Sequence, residues 1–311
     1  MNALFKKQPD APILCIATTP AVQRTLTFAS FRLGEVNRAT TTRVSPAGKG
    51  VNVALALARL GAPVKLVGFI GGETGDYIAR SVAAAGIDAT WISCPSATRQ
   101  CHTILEADTG RVTELVEESA PLSPDLWARL LAAIVERLPG TSWLSASGTP
   151  PPGAPPDFLV RLCRAAGAAG VRACIDSQGS ALLACLEANP SLIKLNKEEL
   201  ERTSGGEPID RAAATLIRRG AGQVVVTDGA HGATAYSNGA ATHIPAPAVR
   251  ALNPIGSGDC FTAGLLLALG VGQSMADAVR CGNACGAANA ETETPADIHP
   301  DRVRELMRLN P

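Results

Sequence analysis

Trp143-Leu144-Ser145-Ala146-Ser147, Arg172-Ala173-Cys174-Ile175-Asp176 and Leu192-Ile193-Lys194-Leu195 are three short, mostly apolar runs, and each is followed by a helix-period segment: Pro156 to Gly167, Ser180 to Ala188 and Lys197 to Ser204. Runs of four or five residues are too short for helices and fit strands buried on both faces. Strand and helix in strict alternation imply a mostly parallel sheet with helices on both sides, an α/β/α fold. Thr149 to Pro156 (TPPPGAPP) reads as a stiff loop within this pattern rather than a domain linker.

Outward from this centre the pattern continues. Downstream lie a helix at Ile209 to Arg219, a strand at Gln223 to Thr227 and a hairpin-like region at 232–249. Two long helices at 257–271 and 274–290 and a last one at Pro300 to Leu309 complete that side. Upstream, Pro12 to Thr19 fits a buried first strand. Val51 to Leu60 is a helix stopped by Gly61, Val64 to Ile70 a second strand, Asp76 to Ala85 a helix capped by Gly86, and Pro124 to Leu138 another helix. Two stretches do not fit inside such a sheet. Residues of about 21–46 and 97–117 alternate, are rich in Thr and Val, and read as half-exposed antiparallel strands. They are expected to form a small β lid on a single domain spanning 1–311.

The 311 residues carry 28 Lys+Arg against 28 Asp+Glu, 46% apolar and only 18% charged residues, which excludes a disordered chain. Balanced charge speaks against nucleic acid or an anionic membrane as partner, since both are held by surplus Lys and Arg. Nine scattered cysteines include no C-x-x-C, and Cys281 and Cys285 lack a second Cys/His pair for zinc. The four histidines form no metal spacing either. The cysteines read as small buried hydrophobes of a reduced, cytoplasmic protein. Met1 to Asp10 (MNALFKKQPD) has no signal-peptide core, and the uncharged run Cys260 to Ala276 is too short to span a bilayer.

Asn253-Pro254-Ile255-Gly256-Ser257-Gly258-Asp259-Cys260-Phe261-Thr262-Ala263-Gly264 carries the strongest chemical signal. Two glycines one residue apart open a long apolar helix, which leaves the N–H groups of Gly256, Ser257 and Gly258 for an anion at the positive helix end. Asp259 in the first turn suits removal of a proton from a hydroxyl that attacks phosphorus. A second Gly-rich helix start is Ser45-Pro46-Ala47-Gly48-Lys49-Gly50-Val51-Asn52-Val53-Ala54. It has neither the P-loop nor the dinucleotide spacing. Its small residues admit a ligand to the backbone, Lys49 can pair with an anion, and Asn52 can bond hydroxyls.

Together, in this order and about 200 residues apart, these motifs resemble the two signatures of the PfkB carbohydrate kinase family, whose fold is ribokinase-like. The resemblance runs from Ile13 to about Asn289. It is closest to the family's sugar-phosphate kinases, the 1-phosphofructokinases, the PfkB-type 6-phosphofructokinases and the tagatose-6-phosphate kinases, on Thr18 to Val22, Gly34 to Asn37 and 47–54. It implies ATP and Mg²⁺ as cofactors and a sugar phosphate as acceptor: fructose 1-phosphate first, fructose 6-phosphate or tagatose 6-phosphate next. An unphosphorylated sugar or nucleoside, or a non-catalytic sugar-phosphate or nucleotide sensor, stays as the alternative.

The same resemblance assigns roles. Asp259 matches the catalytic base, and Gly256, Ser257 and Gly258 the anion hole. Gly48, Lys49, Gly50 and Asn52 match the sugar loop. Arg99 in Thr98-Arg99-Gln100 matches an arginine that grips the acceptor's own phosphate, and Ser147 and Gly148 fall in a loop over the sugar. Lys194 and Asn196 fall where nucleotide phosphates are contacted, and Glu199 where a carboxylate reaches Mg²⁺ through water. Thr227, Gly229 and Gly232 lie in a turn bordering the nucleotide, and Asn283 on the helix flanking its base. The lid is also a place where two copies could pair through exposed strand edges. The sequence departs from the family pattern at Gln23, where an Asp usually accepts two sugar hydroxyls; Gln has one acceptor oxygen and no charge. Asn253, Pro254 and Leu195 are further departures that leave the base and anion hole in place.

Overall fold

The computed structural model describes residues 9–237 and 239–309. The N-terminal stretch read for a leader therefore lies, but for Pro9 and Asp10, outside the described residues, as does Asn238 within the hairpin-like region.

The strands are β1 (Ile13–Ala17), β2 (Ala21–Phe28), β3 (Thr41–Ala47), β4 (Val64–Ile70), β5 (Asp88–Ser93), β6 (Gln100–Glu106), β7 (Val112–Val116), β8 (Trp143–Ser147), β9 (Arg172–Asp176), β10 (Leu192–Asn196), β11 (Val224–Thr227), β12 (Ala233–Ser237) and β13 (Ala240–Ile244). The helices are α1 (Lys49–Arg59), α2 (Gly72–Ala84), α3 (Pro124–Arg137), α4 (Phe158–Ala168), α5 (Gly179–Cys185), α6 (Lys197–Ser204), α7 (Ile209–Arg218), α8 (Ser257–Gly270), α9 (Met275–Ala290) and α10 (Pro300–Leu309).

Nine strands form the central sheet in the order β13-β12-β11-β10-β9-β8-β1-β4-β5. The seven from β11 to β5 run parallel, and β12 and β13 add an antiparallel hairpin at one edge. Every residue of β1 and β8 is buried, as strands covered on both faces require. One apolar core joins this sheet to α1, α2, α8, α9 and α10; the other joins it to α3 through α7. The expected α/β/α layering is thus present. The strand β5 escaped the sequence reading, because its DATWIS run begins with a charge and only Ile92 is buried.

A second sheet, β3-β2-β6-β7, is built from the two inserted stretches. β2–β3 and β6–β7 are antiparallel as expected, but β2 and β6 pair in parallel. Alternation reports which face a residue takes, not the direction of its partner, so the parallel pair was not legible. Tyr77 of α2 donates its hydroxyl hydrogen bond to the Val44 carbonyl at 3.1 Å, anchoring β3 to the core. No helix of the described residues is long and apolar enough to cross a membrane.

Candidate functional site

From β1 the chain passes to β4 and β5 on one side and returns to β8 on the other. Ligands of open α/β sheets bind beside the carboxyl ends of strands where the order reverses. A cleft of about 650 Å³ lies here between the central and second sheets, reached by residues of β2, β10, α1, α6 and α8.

The turn from β3 into α1 is set by close packing. Gly48 has φ +99°, and a Cβ on it would stand 2.6 Å from the Thr19 carbonyl oxygen, so only glycine fits. Lys49 then opens α1 with its Nζ 3.4 Å from Glu199 Oε1 and 3.6 Å from Asp176 Oδ1. Asp176, fully buried at the end of β9, also accepts from Lys194 Nζ at 3.1 Å. Burial pushes the Asp176 carboxyl up, but Lys194 and Lys49 outweigh it and hold the group below its ordinary value. The same Asp176 charge raises Lys49, against the opposing pull of burial. Lys49 therefore stays charged at the cleft floor.

At the start of α8, Gly256 takes φ +85° and no side chain caps the helix. The tight turn spends the Ser257 N–H on the Pro254 carbonyl at 3.1 Å. This corrects the expectation of three free amides. Those of Gly256 and Gly258 have no partner among the described residues, while Ser257 borders a neighbouring cavity and its Oγ accepts from Asn289. A Cβ on Gly258 would lie 3.2 Å from Lys194 Nζ, so an ammonium sits beside the free amides, and both favour an anion. Asp259 is 6% exposed and accepts from Asn52 Nδ2 at 2.7 Å. Desolvation pushes its carboxyl up to about 6, with Lys49 and the Asn52 bond pulling it back down.

Lys194 and Asn196 line the same cleft. Asn196 caps α6, its Oδ1 accepting from the Glu199 N–H at 2.8 Å while Glu199 Oε2 accepts from the Asn196 N–H at 2.9 Å. Thr227 and Gly229 stand between this cleft and a second cavity of about 500 Å³, whose mainly apolar walls include Val249, Phe261 and Gly232. Asn283 borders that cavity, with Nδ2 donating to the Ile244 and Pro245 carbonyls.

On the second-sheet side, Gln23 is buried and its Nε2 donates to Thr103 Oγ1 at 2.7 Å. Arg99 lines the cleft, donating to the Glu117 and Thr19 carbonyls at 3.0 and 3.3 Å while its buried Nε has no partner. Gly148 faces Arg99 and Lys49 across an adjoining space of about 490 Å³. Two expected site residues stand apart. Gly50 is buried in contact with the β1 backbone, because α1 must come that close to the strand. Ser147 is buried at the end of β8, lining neither space, its Oγ without a partner. Asp176 and Glu114, which also line or support the cleft, were missed. A charge closing an apolar strand (RACID) was the available signal for Asp176; Glu114 gave none.

The description "pfkB family carbohydrate kinase" matches residues 12–302. A 1-phosphofructokinase of Rhodobacter capsulatus is 31% identical over 302 residues, covering 95% of this chain and 96% of that protein. The phosphofructokinase-2 of Escherichia coli, solved in complex with substrates and products, superposes with a TM-score of 0.89 at 27% identity, covering 96% of this chain and 99% of that one. The ribokinase of Arabidopsis thaliana, complexed with ribose and ATP, shares the fold with a TM-score of 0.75 at 19% identity, over 96% and 99% of the two chains. The chain belongs to the pfkB family of carbohydrate kinases, enzymes that transfer a phosphoryl group to an alcohol.

Proposed function

We propose that this kinase phosphorylates a phosphorylated ketohexose, fructose 1-phosphate before fructose 6-phosphate or tagatose 6-phosphate, with MgATP as donor. The observation that carries this reading is the single cleft that joins Arg99, with its unpaired buried Nε, to Asp259 and the free amides of Gly256 and Gly258. Arginine offers phosphate a bidentate fork, and a carboxylate beside an anion site can take the proton of an attacking hydroxyl. The Rhodobacter capsulatus relative is named for the 1-phosphate substrate. In this reading the nucleotide base lies in the apolar cavity between Thr227 and Asn283. Its phosphates meet Lys194, Asn196 and the α8 amides, and the second sheet closes over the acceptor as a lid, excluding water.

Mg²⁺ fits the same residues. Two lysines face three carboxylates, Asp176, Glu199 and Asp259, so the floor has no surplus positive charge to meet a nucleoside triphosphate. Among the described residues no three His, Cys, Asp or Glu side chains gather to hold a metal ion. Glu199 already serves Lys49 and the Asn196 amide, which suits contact through water. The ion would neutralise phosphate charge there.

The test is ADP release with MgATP against fructose 1-phosphate, fructose 6-phosphate, tagatose 6-phosphate, fructose, ribose and adenosine. Turnover confined to one phosphorylated ketohexose is expected; turnover only of unphosphorylated acceptors sinks the reading. Arg99→Ala is expected to raise KM for the phosphorylated acceptor about a hundredfold, as for loss of about 3 kcal/mol of charge-assisted bonding, with the KM for ATP unchanged. A variant that binds the acceptor normally removes Arg99 from the phosphate contact.

We also place the enzyme in the cytoplasm, a reading supported by nine free cysteines, and infer a homodimer through the second sheet. Val44 and Leu115 on that sheet are 45% and 54% exposed, and Leu33 and Val36 in the β2–β3 connection are 91% and 82% exposed. Exposed apolar side chains of this size, on both edge strands of one small sheet and in its connection, favour burial against a partner. Light scattering is expected to give twice the chain mass, falling to the monomer in Leu115→Glu. A wild-type monomer ends the dimer reading.

A further inference from the structure

A sugar presents several hydroxyl donors, and a site that reads them needs acceptors aimed at each. The inner face of the second sheet can be traced row by row. Gln23, Cys101 and Val116 stand opposite one another across β2, β6 and β7, and in the next row of the same face stand Thr25, Thr103 and Glu114. Of these, Gln23, Cys101, Val116 and Glu114 line the cleft together with Arg99. The acceptors on this wall are few. Gln23 has one oxygen left after its Nε2 is spent on Thr103, and Thr25 Oγ1 and Ser45 Oγ, opposite Gln23 on β3, are buried without a partner. Cys101 and Val116 offer little or nothing.

Among the described residues five acids line the cleft. Glu198 and Glu199 belong to α6, Asp228 follows β11, and Asp259 belongs to α8. Glu114 alone comes from the second sheet. Among the described residues its carboxylate has no ion pair within 4 Å and no hydrogen bond, and Arg99 gives one bond from each Nη to a backbone carbonyl, none to Glu114. Partial desolvation raises the Glu114 carboxyl, and the Arg99 charge pulls it back, so the two groups feel one another across the face.

We propose that Glu114 is a specificity-determining residue of the acceptor site, its carboxylate receiving sugar hydroxyls alongside the neutral Gln23 amide. A carboxylate repels phosphate as surely as it attracts hydroxyls, so the pair Arg99 and Glu114 polarises the wall. The phosphate end of the acceptor goes to Arg99, and the polyol end to Glu114. The anionic hydroxyl acceptor that position 23 lacks is in this way supplied from two strands away. The proposal rests on the sugar-phosphate reading for the identity of the acceptor, and its test separates the two.

Glu114→Gln keeps the size and removes the charge. With saturating MgATP, KM for the preferred sugar phosphate is expected to rise about 10- to 100-fold, the loss of a hydrogen bond to a charged group. The KM for ATP and the melting temperature stay put, and the preference for fructose 1-phosphate over fructose 6-phosphate narrows. An unchanged KM overturns the proposal, and a lowered KM does so too, since it would mean that the carboxylate only repelled the phosphate. Should the wild type turn over only an unphosphorylated sugar, the same variant is measured with that sugar. A raised KM then keeps Glu114 and discards the phosphate, while a flat one discards Glu114 as well.

Discussion

Asp259→Asn is expected to lower kcat about 10³-fold, within the range that positioned general bases contribute, with the KM for ATP nearly unchanged. Asn is the same size, and its amide oxygen can still accept from Asn52 Nδ2, now at 2.7 Å from Asp259 Oδ2. What goes is the ability to take a proton. Because Asp259 is desolvated, its carboxyl titrates at about 6. The wild type's kcat/KM should therefore rise through one ionisation near pH 6 and level off above it. The variant's residual rate should lose that limb. A near-normal rate in Asp259→Asn would remove the residue from the role. The same shift has a stability sign. A carboxyl whose folded-state pKa is raised holds its proton better folded than unfolded, so its ionisation costs stability above about pH 6, and the cost is relieved as pH falls toward the ordinary 3.8.

Gly50→Ala is the second large effect, and it acts on the fold. A Cβ at this position would lie 2.1 Å from the Ile16 carbonyl oxygen and 2.9 Å from Ala17 Cα. Those are backbone atoms of β1 in the middle of the sheet, and they have no rotamer with which to yield. Alanine's helix preference is worth about 1 kcal/mol, while forced overpacking costs about 1–3 kcal/mol or more, so the clash wins. Helix α1 must lift from β1 and carry Lys49 and Asn52 with it. A melting temperature lower by about 5–10 °C is expected by calorimetry, together with loss of turnover. Gly167→Ala in α4 provides the contrast: a Cβ there meets nothing within 4 Å, and the protein should gain about 0.5–1 kcal/mol. If both variants melt alike, the close approach of α1 to β1 is not what requires glycine.

Much of the fold was open to reading because its signals act within a few residues. WLSAS and RACID are strands over the expected residues, and Asn196 with Glu199 forms the capping box that starts α6. The Gly-rich helix starts before α1 and α8 were legible for the same reason, since a helix N-terminus and its glycines are local features. Two of the failures were also local in cause. DATWIS carries a weak burial pattern, and the three-amide anion hole ignored a turn that consumes the Ser257 N–H.

Chain order and periodicity were enough for the α/β/α layering, for two Gly-rich helix starts, and for an extra pair of β segments. They could not say that Asn52 and Asp259, 207 residues apart, share a hydrogen bond, or that Asp176 holds Lys49 and Lys194 together. Nor did alternation show that β2 and β6 run parallel and so bring Glu114 into the face that holds Gln23. Strand order and register set those distances, and both are settled by which buried faces pack best over the whole sheet. A neutral glutamine, a buried aspartate and a distant glutamate have their chemistry written in their side chains; their company is chosen by the fold.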